Sequence, residues 1–436
     1  MIDCMERRTF ILTSGATALA TRAAAGANDR VNLAVVGVRS RGREHVDLFA
    51  RNAASRVAAV CDIDTAQSER ALPLAEKAQG GKPKVYQDFR KVLEDKEIDA
   101  VSLATCNHWH ALGAIWACQA GKDVYVEKPA SHNIWEGRKI VEASRKYARI
   151  VQVGMQSHSI EHKRRAIQLL HEGVIGKIYL AKGLCFKRRK SIGKSPDGPV
   201  PPGVDYNTWL GPAPMRPFNA NRFHYNWHWF WDTGNGDIGN QGVHEMDICR
   251  WGLGKMTLPK KVYSSGGKFV YDDDQETPNT QMATFEYDDC QIVFEVRGIL
   301  TGGEASIPYD GSNFIGNIFL GSEGYMSLDS TGFQVYLGEK RELAQSMKAT
   351  EPRIWDTAPH VNNFLQAVRS RKQTDLTCDI EEGHLAAALC HMANTSYRTG
   401  RKLAFDPAAE NYGSDYEANL HLARNYRTPF VVPDKV

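Results

Sequence analysis

Three stretches of the chain combine residue types and spacings that can do chemistry. The first is Gly37-Val38-Arg39-Ser40-Arg41-Gly42, which follows the apolar run VNLAVV (31–36) and precedes a segment with apolar residues at Val46, Phe49 and Ala50. Between a strand and a helix, glycines let backbone approach a pyrophosphate, and the helix N-terminus offers N–H groups to it. The middle glycine of the G-x-G-x-x-G pattern is Arg39 here. Asp62 closes the next apolar run, RVAAVCDI, about twenty residues on, where a carboxylate can accept hydrogen bonds from an adenosine ribose. Its charge would repel a 2′-phosphate, which points to NAD rather than NADP. Arg39 and Arg41 argue the other way, because guanidinium groups pair with such a phosphate.

The second stretch is Glu127-Lys128-Pro129, at the end of the apolar run DVYV. Ligands of doubly wound sheets bind beyond the carboxyl ends of the strands, and a lysine there can hydrogen-bond a substrate hydroxyl or steady an alkoxide. The third is residues 227–247, WHWFWDTGNGDIGNQGVHEMD. Asp237, His244 and Asp247 lie seven and three residues apart, and the shorter gap puts His244 and Asp247 on one face of a helix. Histidine titrates near neutrality and can act as a general base. The aromatic segment 223–231 holds three tryptophans in five residues; Trp227, His228 and Trp231 could form a stacking and hydrogen-bonding platform for a sugar ring, or could be core. His108/His110 and the i, i+4 pair His224/His228 raise the possibility of a metal, but no companion Cys or His set completes a site, so none is expected.

The elements that must hold these residues alternate along the first third. Apolar runs at 31–36, 56–63, 98–105, 123–129 and 150–155 read as strands. Helix-period segments at 43–53, 65–79, 88–93, 110–121 and 135–147 lie between them. That rhythm predicts a doubly wound parallel sheet over 30–155. A helix at 161–172 follows, then polar/apolar alternation at 175–186, 260–270, 281–298 and 317–330, with a hairpin turn at Asp288-Asp289. Residues 156–405 are therefore expected to form an α+β domain whose mainly antiparallel sheet leaves one face to solvent or a partner, closed by helices at 359–371 and 381–398. The segment 406–436 shows no period and reads as a tail.

The motifs A-V-C-D (59–62), A-T-C-N-H-W-H (104–110), G-K-D-V-Y-V-E-K-P (121–129) and G-N-Q-G-V-H-E-M-D (239–247) resemble those of the glucose–fructose oxidoreductase/inositol dehydrogenase/MocA family, over about residues 31–400. The resemblance implies a Rossmann domain, a second domain with a large open sheet that often mediates homo-oligomers, a tightly held nicotinamide, and sugar-like or cyclitol substrates. It places Thr105, Asn107, His110, Glu127 and Lys128 beside the cofactor, together with Gly37, Val38, Arg39, Gly42 and Asp62. Its catalytic lysine and histidine match Lys128 and His244. Its aspartate, four residues before that histidine, is Asn240 here, so Asp237 or Asp247 is left to take that part and Asn240 is assigned to the substrate side.

The net charge of +3, from 54 Lys and Arg against 51 Asp and Glu, gives no reason to expect nucleic acid, and the basic run Lys187-Arg188-Arg189-Lys190 reads as a solvated loop. Nine cysteines without C-x-x-C form no disulfide framework. Residues 1–27, with Arg7-Arg8 ahead of Phe10-Ile11-Leu12 and a small-residue end at Ala25-Gly26-Ala27, read as a twin-arginine export signal, and no later stretch is apolar enough to span a membrane. The leading expectation is an exported, NAD-dependent oxidoreductase acting on a sugar, cyclitol or glycoside. A redox-neutral glycoside hydrolase, lyase or epimerase that keeps its cofactor is the alternative from the same chemistry. A non-catalytic sugar- or dinucleotide-binding protein is the alternative from outside it.

Overall fold

The computed structural model describes residues 30–299, 313–350 and 357–436; the expected export signal lies outside them. The first sheet is built from β1 (Val31–Val36), β2 (Ser55–Cys61), β3 (Lys84–Tyr86), β4 (Ala100–Leu103), β5 (Asp123–Val126) and β6 (Val151–Val153). Its order is β3-β2-β1-β4-β5-β6, with every pair parallel. β4, β5 and β6 are buried along their whole length, as near-continuous apolar runs in a sheet covered on both faces require.

Helices α1 (Ser40–Arg51), α2 (Thr65–Gln79), α3 (Phe89–Glu94), α4 (Asn107–Gln119) and α5 (Ile134–Lys146) connect the strands. α1 buries Val46, Phe49 and Ala50, the i, i+3, i+4 stripe read from the sequence. α2 begins where the Asp64 side chain accepts from the Ala66 N–H, and ends at Gly80 with φ of 74°. α4 begins at Asn107, three residues earlier than expected, so the H-W-H residues sit in its first turn rather than in a loop.

After α6 (Glu161–His171) comes β7 (Ile178–Lys187), then α7 (Tyr206–Leu210), α8 (Gly236–Asn240) and α9 (Gly242–Gly252). The strands β8 (Lys261–Gly267), β9 (Thr280–Glu286), β10 (Gln291–Arg297), β11 (Asn313–Gly321), β12 (Gly324–Leu328), β13 (Gly332–Leu337) and β14 (Glu342–Lys348) follow. Helices α10 (Ala358–Ser370) and α11 (Ile380–Thr399), the short β15 (Leu403–Ala404) and α12 (Tyr416–Asn419) complete the described chain. The second sheet runs β14-β13-β12-β11-β7-β10-β9-β8-β15; all its pairs are antiparallel except β7–β10. The stretch read as one strand at 317–330 is the β11–β12 hairpin, and β13 and β14 extend the sheet beyond what the alternation showed.

One face of this sheet packs Phe285, Ile292, Phe294 and Phe319 into the main core with Val243, Met246 and Leu389 of α9 and α11. The other carries a small cluster of Leu184, Phe186, Phe314 and Ile318, a Tyr325–Tyr336 stack at 4.8 Å, and exposed Tyr263 and Met282. α11 also reaches the first sheet: a Cβ on Gly383 would stand 2.2 Å from Val153 Cγ2, so only glycine allows this approach. The segment 406–436 is not a loose tail. Phe430 is buried against Trp109 of α4, Tyr426 packs on Trp135 of α5, and Arg427 bonds Asn207 of α7.

Candidate active site

A cleft of about 1730 Å³ runs along the carboxyl ends of β1, β2, β4 and β5. Small-ligand pockets are commonly about 300–1,000 Å³, so this one has room for a dinucleotide and a second molecule. The glycine loop forms one wall. Trp209, His224, Tyr225, Trp227 and His228, from the segment before α8, form the other.

At the nucleotide end the backbone fits a pyrophosphate. Gly37 has φ of 79°, and a Cβ there would stand 2.7 Å from the Ala104 carbonyl oxygen. A Cβ on Gly42 would stand 1.8 Å from the Gly37 carbonyl oxygen, so the turn needs both glycines. Arg39, at the position of the missing middle glycine, caps α1 and lines the cleft. Asp62 accepts from the Val38 N–H at 2.8 Å and the Asp64 N–H at 3.0 Å, and burial pushes its carboxyl up to about 6. Thr105 lines the cleft with its Oγ1 buried and without a hydrogen-bond partner in the described residues, an atom placed for a bound group to satisfy. Replacing Asp62 with Ala is expected to weaken NAD binding by roughly 1–3 kcal/mol, the scale of a hydrogen bond to a charged group, and to improve NADP relative to NAD. Titration of the apoprotein with both dinucleotides checks this; equal wild-type affinities would overturn the assignment of Asp62.

The Glu-Lys-Pro segment is held from below. Glu127 Oε1 accepts from Arg41 Nε at 2.8 Å and lies 3.1 Å from His45 Nε2, while Oε2 accepts from the Lys128 N–H at 3.2 Å. Although burial opposes its charge, Arg41 and His45 hold the carboxyl well below the usual range. Glu127, expected at the cofactor, lines the cleft and also braces α1 against the Lys128 loop. Arg41 is the residue that sequence reading missed in this role; its guanidinium also reaches Glu44 at 2.5 Å and Thr357 at 3.1 Å. Lys128 lines the cleft, and its Nζ donates to the Asn240 backbone carbonyl at 2.6 Å, with Asn240 Oδ1 3.5 Å away. Burial, with Arg41, Lys187 and Arg189 adding positive charge, lowers the Lys128 ammonium to about 8.

Asn240 lines the cleft, and its amide lies 3.5 Å from Asp237 Oδ1. Asp237 itself faces Arg189, which donates to its two oxygens at 2.6 and 3.0 Å. The carboxylate expected to supply the missing aspartate is thus engaged by a guanidinium on both oxygens. Asp247, the other candidate, lies 2.7 Å from His158 Nε2 and accepts from Arg250 Nη2 at 3.1 Å. His244 sits in the first turn of α9, where burial and Lys128 lower its imidazole well below the ordinary range and keep it neutral.

The aromatic segment divides. Trp227 and His228 line the cleft and stack at 3.6 Å, and burial lowers His228 to about 3. Trp231 does not line it; its ring lies under Arg398, 5.1 Å away, and beside Tyr397, so its assignment to substrate is corrected. Asn107 and His110 line the cleft, but Asn107 donates to Asn235 at 3.0 Å and the His110 ring faces the carbonyls of Pro129 and Thr105 at 2.7 and 3.0 Å. His224 pairs with Asp64 at 2.9 Å.

Residues 31–155 match the family model described as oxidoreductase family, NAD-binding Rossmann fold, and residues 177–432 match oxidoreductase family, C-terminal alpha/beta domain. The chain belongs to the Gfo/Idh/MocA family. Both models describe domains of an oxidoreductase family, the first of them an NAD-binding Rossmann fold. Among curated relatives, a glycosyl hydrolase family 109 protein of Saccharopolyspora erythraea is 29% identical over 36% of this chain and 35% of its own length. The rhizopine catabolism protein MocA of Rhizobium meliloti is 25% identical over 55% of this chain and 63% of its own. The matches thus span from about a third to under two thirds of these relatives. Among solved structures, the WlbA dehydrogenase of Bordetella pertussis, in complex with NADH and UDP-GlcNAcA, is 19% identical over 86% of this chain and 99% of that one, with a TM-score of 0.62. A levoglucosan dehydrogenase complexed with NADH and levoglucosan is 16% identical over the same shares, with a TM-score of 0.64. At such identities the likeness establishes the fold.

Proposed function

We propose that this protein interconverts an alcohol and a carbonyl on a sugar, cyclitol or glycoside, with Lys128 and His244 handling the proton. The observation that carries this reading is Lys128: its ammonium stands where the cofactor cleft meets α8, held by the Asn240 carbonyl, with an acidity near neutrality. When bound, NAD supplies the hydride acceptor or donor. Lys128 hydrogen-bonds the reacting hydroxyl and moves its proton, and neutral His244 is the second proton-handling group. Trp227 and His228 give a sugar ring a flat wall. The sugar complexes of the structural neighbours agree with this class.

A redox-neutral reaction on a glycoside, with the cofactor reduced and reoxidised in place, is the second reading, and one feature favours it. The segment before α8 clasps the adenosine end of the cleft. Asp205 N–H donates to the Ile63 carbonyl at 2.9 Å, Thr65 N–H to the Gly203 carbonyl at 3.2 Å, and His224 pairs with Asp64. Such a clasp retains a dinucleotide, and the family 109 relatives point the same way. Gly203 has φ of 81°, and a Cβ would stand 2.6 Å from Thr65 Oγ1. Gly203→Val is therefore expected to loosen the clasp and speed NAD loss on dialysis roughly 10-fold, the scale of such backbone strain. An unchanged off-rate would remove the clasp from the argument.

The test of function incubates NAD-loaded protein with free sugars, cyclitols and glycosides, following nicotinamide absorbance and products together. Stoichiometric NADH supports the simple dehydrogenase. Glycoside cleavage without net NADH supports the second reading, and neither result sinks both. We further propose that residues 1–27 direct export of the folded protein and that copies associate through the uncovered face of the second sheet around Tyr263 and Met282. A fractionation experiment and a native mass measurement check these two points.

A further inference from the structure

Three histidines line the cleft: His110, His224 and His228. Two of them are already engaged. Both ring nitrogens of His110 face backbone carbonyls, those of Pro129 and Thr105, and His224 pairs with Asp64. His228 differs. Its Nδ1 lies 2.6 Å from the Tyr225 carbonyl oxygen, and its Nε2 has no hydrogen-bond partner among the described residues.

The Tyr225 contact settles which nitrogen carries the proton. A carbonyl oxygen only accepts, so Nδ1 is the donor. Burial, with Lys128 and Arg189 nearby, keeps the ring neutral, and a neutral ring protonated at Nδ1 holds its lone pair at Nε2. The ring is also held still. One face stacks on Trp227 at 3.6 Å with 20° between the planes, and the Tyr225 ring lies 4.9 Å away. The backbone beneath it is pinned: a Cβ on Gly234 would stand 2.4 Å from the His228 carbonyl oxygen, and Thr233 Oγ1 donates to the Trp227 carbonyl at 2.8 Å. His228 therefore offers the cleft a fixed acceptor, whereas the Lys128 ammonium offers donors only. A fixed lone pair in a partly buried site disfavours a ligand that has no donor to give it.

We propose that His228 Nε2 accepts a hydrogen bond from a second hydroxyl of the substrate, so that the site reads a polyol at two places, the reacting hydroxyl at Lys128 and a donating hydroxyl at His228. This rests on the reading of the site as a sugar oxidoreductase and deepens it. It makes His228 a specificity-determining residue, and it excludes a carbonyl, an ether or a carboxylate at the second place.

The test uses NAD-loaded protein with glucose, galactose and myo-inositol and with their monodeoxy and monodeoxyfluoro congeners, measuring kcat/KM beside calorimetric binding. Fluorine fills the place of a hydroxyl without donating, so it reports the direction of the hydrogen bond. Removing one hydroxyl other than the reacting one is expected to cost about 10–100-fold, mostly in KM, and its fluoro congener should lose as much. His228→Phe should flatten the difference between the parent and that congener. His228→Gln, whose amide oxygen reaches the place of Nε2, should restore part of it. The congener series on unaltered protein decides the point even where a variant folds poorly. Parents and congeners used alike, a fluoro congener bound like its parent, or a hydroxyl dependence untouched in His228→Phe would overturn the proposal and leave hydride transfer in place. His228-dependent discrimination in binding, without any change in nicotinamide absorbance, would keep the proposal and refute hydride transfer instead. Binding of no member of the series would overturn both.

Discussion

Lys128→Met is expected to lower turnover about 10²–10⁴-fold, the usual contribution of a positioned acid–base group, while dinucleotide affinity stays within a few-fold of wild type. The side chain is near-isosteric, so the loop keeps its shape, but the donor to the Asn240 carbonyl and to a substrate hydroxyl is lost. The pH dependence supplies a second signature. Burial, with Arg41, Lys187 and Arg189 nearby, lowers the ammonium to about 8. Alcohol oxidation needs a proton acceptor, which the amine is only above that value, so the oxidative rate should rise with pH through about 8. The reductive direction needs the ammonium and should fall over the same interval. Both limbs should vanish in Lys128→Met. Steady-state rates in both directions across pH 6–10 decide the matter, and a variant that keeps the wild-type profile would remove Lys128 from the chemistry. Lys128→Arg should not rescue, because a guanidinium stays protonated throughout.

How much of this site could be read from the chain depended on whether each role lived in a side chain or in a partnership. The glycine loop was legible because Gly37 and Gly42 are the residues that the turn geometry demands. The alternating elements were legible because strands buried on both faces spell continuous apolar runs. β14 was not, since its residues are almost all exposed and carry no alternation. The start of α4 was missed because Cys106 gives no side-chain cap, and Asn107, His108 and Trp109 are buried by tertiary packing rather than on a helical stripe. Asn240 looked like a defect in a proton relay, yet the group presented to Lys128 is its backbone carbonyl, which any residue supplies. Asp237 was put forward because the usual aspartate position is Asn240, and its pairing with Arg189, 48 residues away, has no local signature. The inward turn of Lys187 and Arg189 did have one: the period-2 pattern of β7 continued into the basic run. The segment after 406 showed no period because its anchors, Phe430, Tyr426 and Arg427, are single contacts to separate helices.

Glu127→Ala separates two roles that the sequence merged. If Glu127 were a cofactor ligand, its loss would cost NAD affinity and little stability. The structure instead gives its Oε1 to Arg41 at 2.8 Å and His45 at 3.1 Å, with the carboxylate buried. Removing one member of such a group leaves buried charge uncompensated, which typically costs about 3–5 kcal/mol; Arg41 is partly open to water, which favours about 3 kcal/mol. At roughly 2–4 °C per kcal/mol for a domain of this size, the melting temperature should fall by several degrees. Glu127→Gln keeps the shape and one acceptor, so it should fall less. The carboxylate also supports the Lys128 charge, so its loss should move the Lys128 limb of the pH–rate profile below about 8. Removing an anion disfavours the nearby cation, and the shift must therefore run toward lower pH. Thermal unfolding and pH–rate profiles of both variants check the two effects. A normal melting temperature with weakened NAD binding would return Glu127 to the cofactor. A lowered melting temperature with the limb moved down in pH would identify it as the strut that holds the catalytic lysine in place and charged.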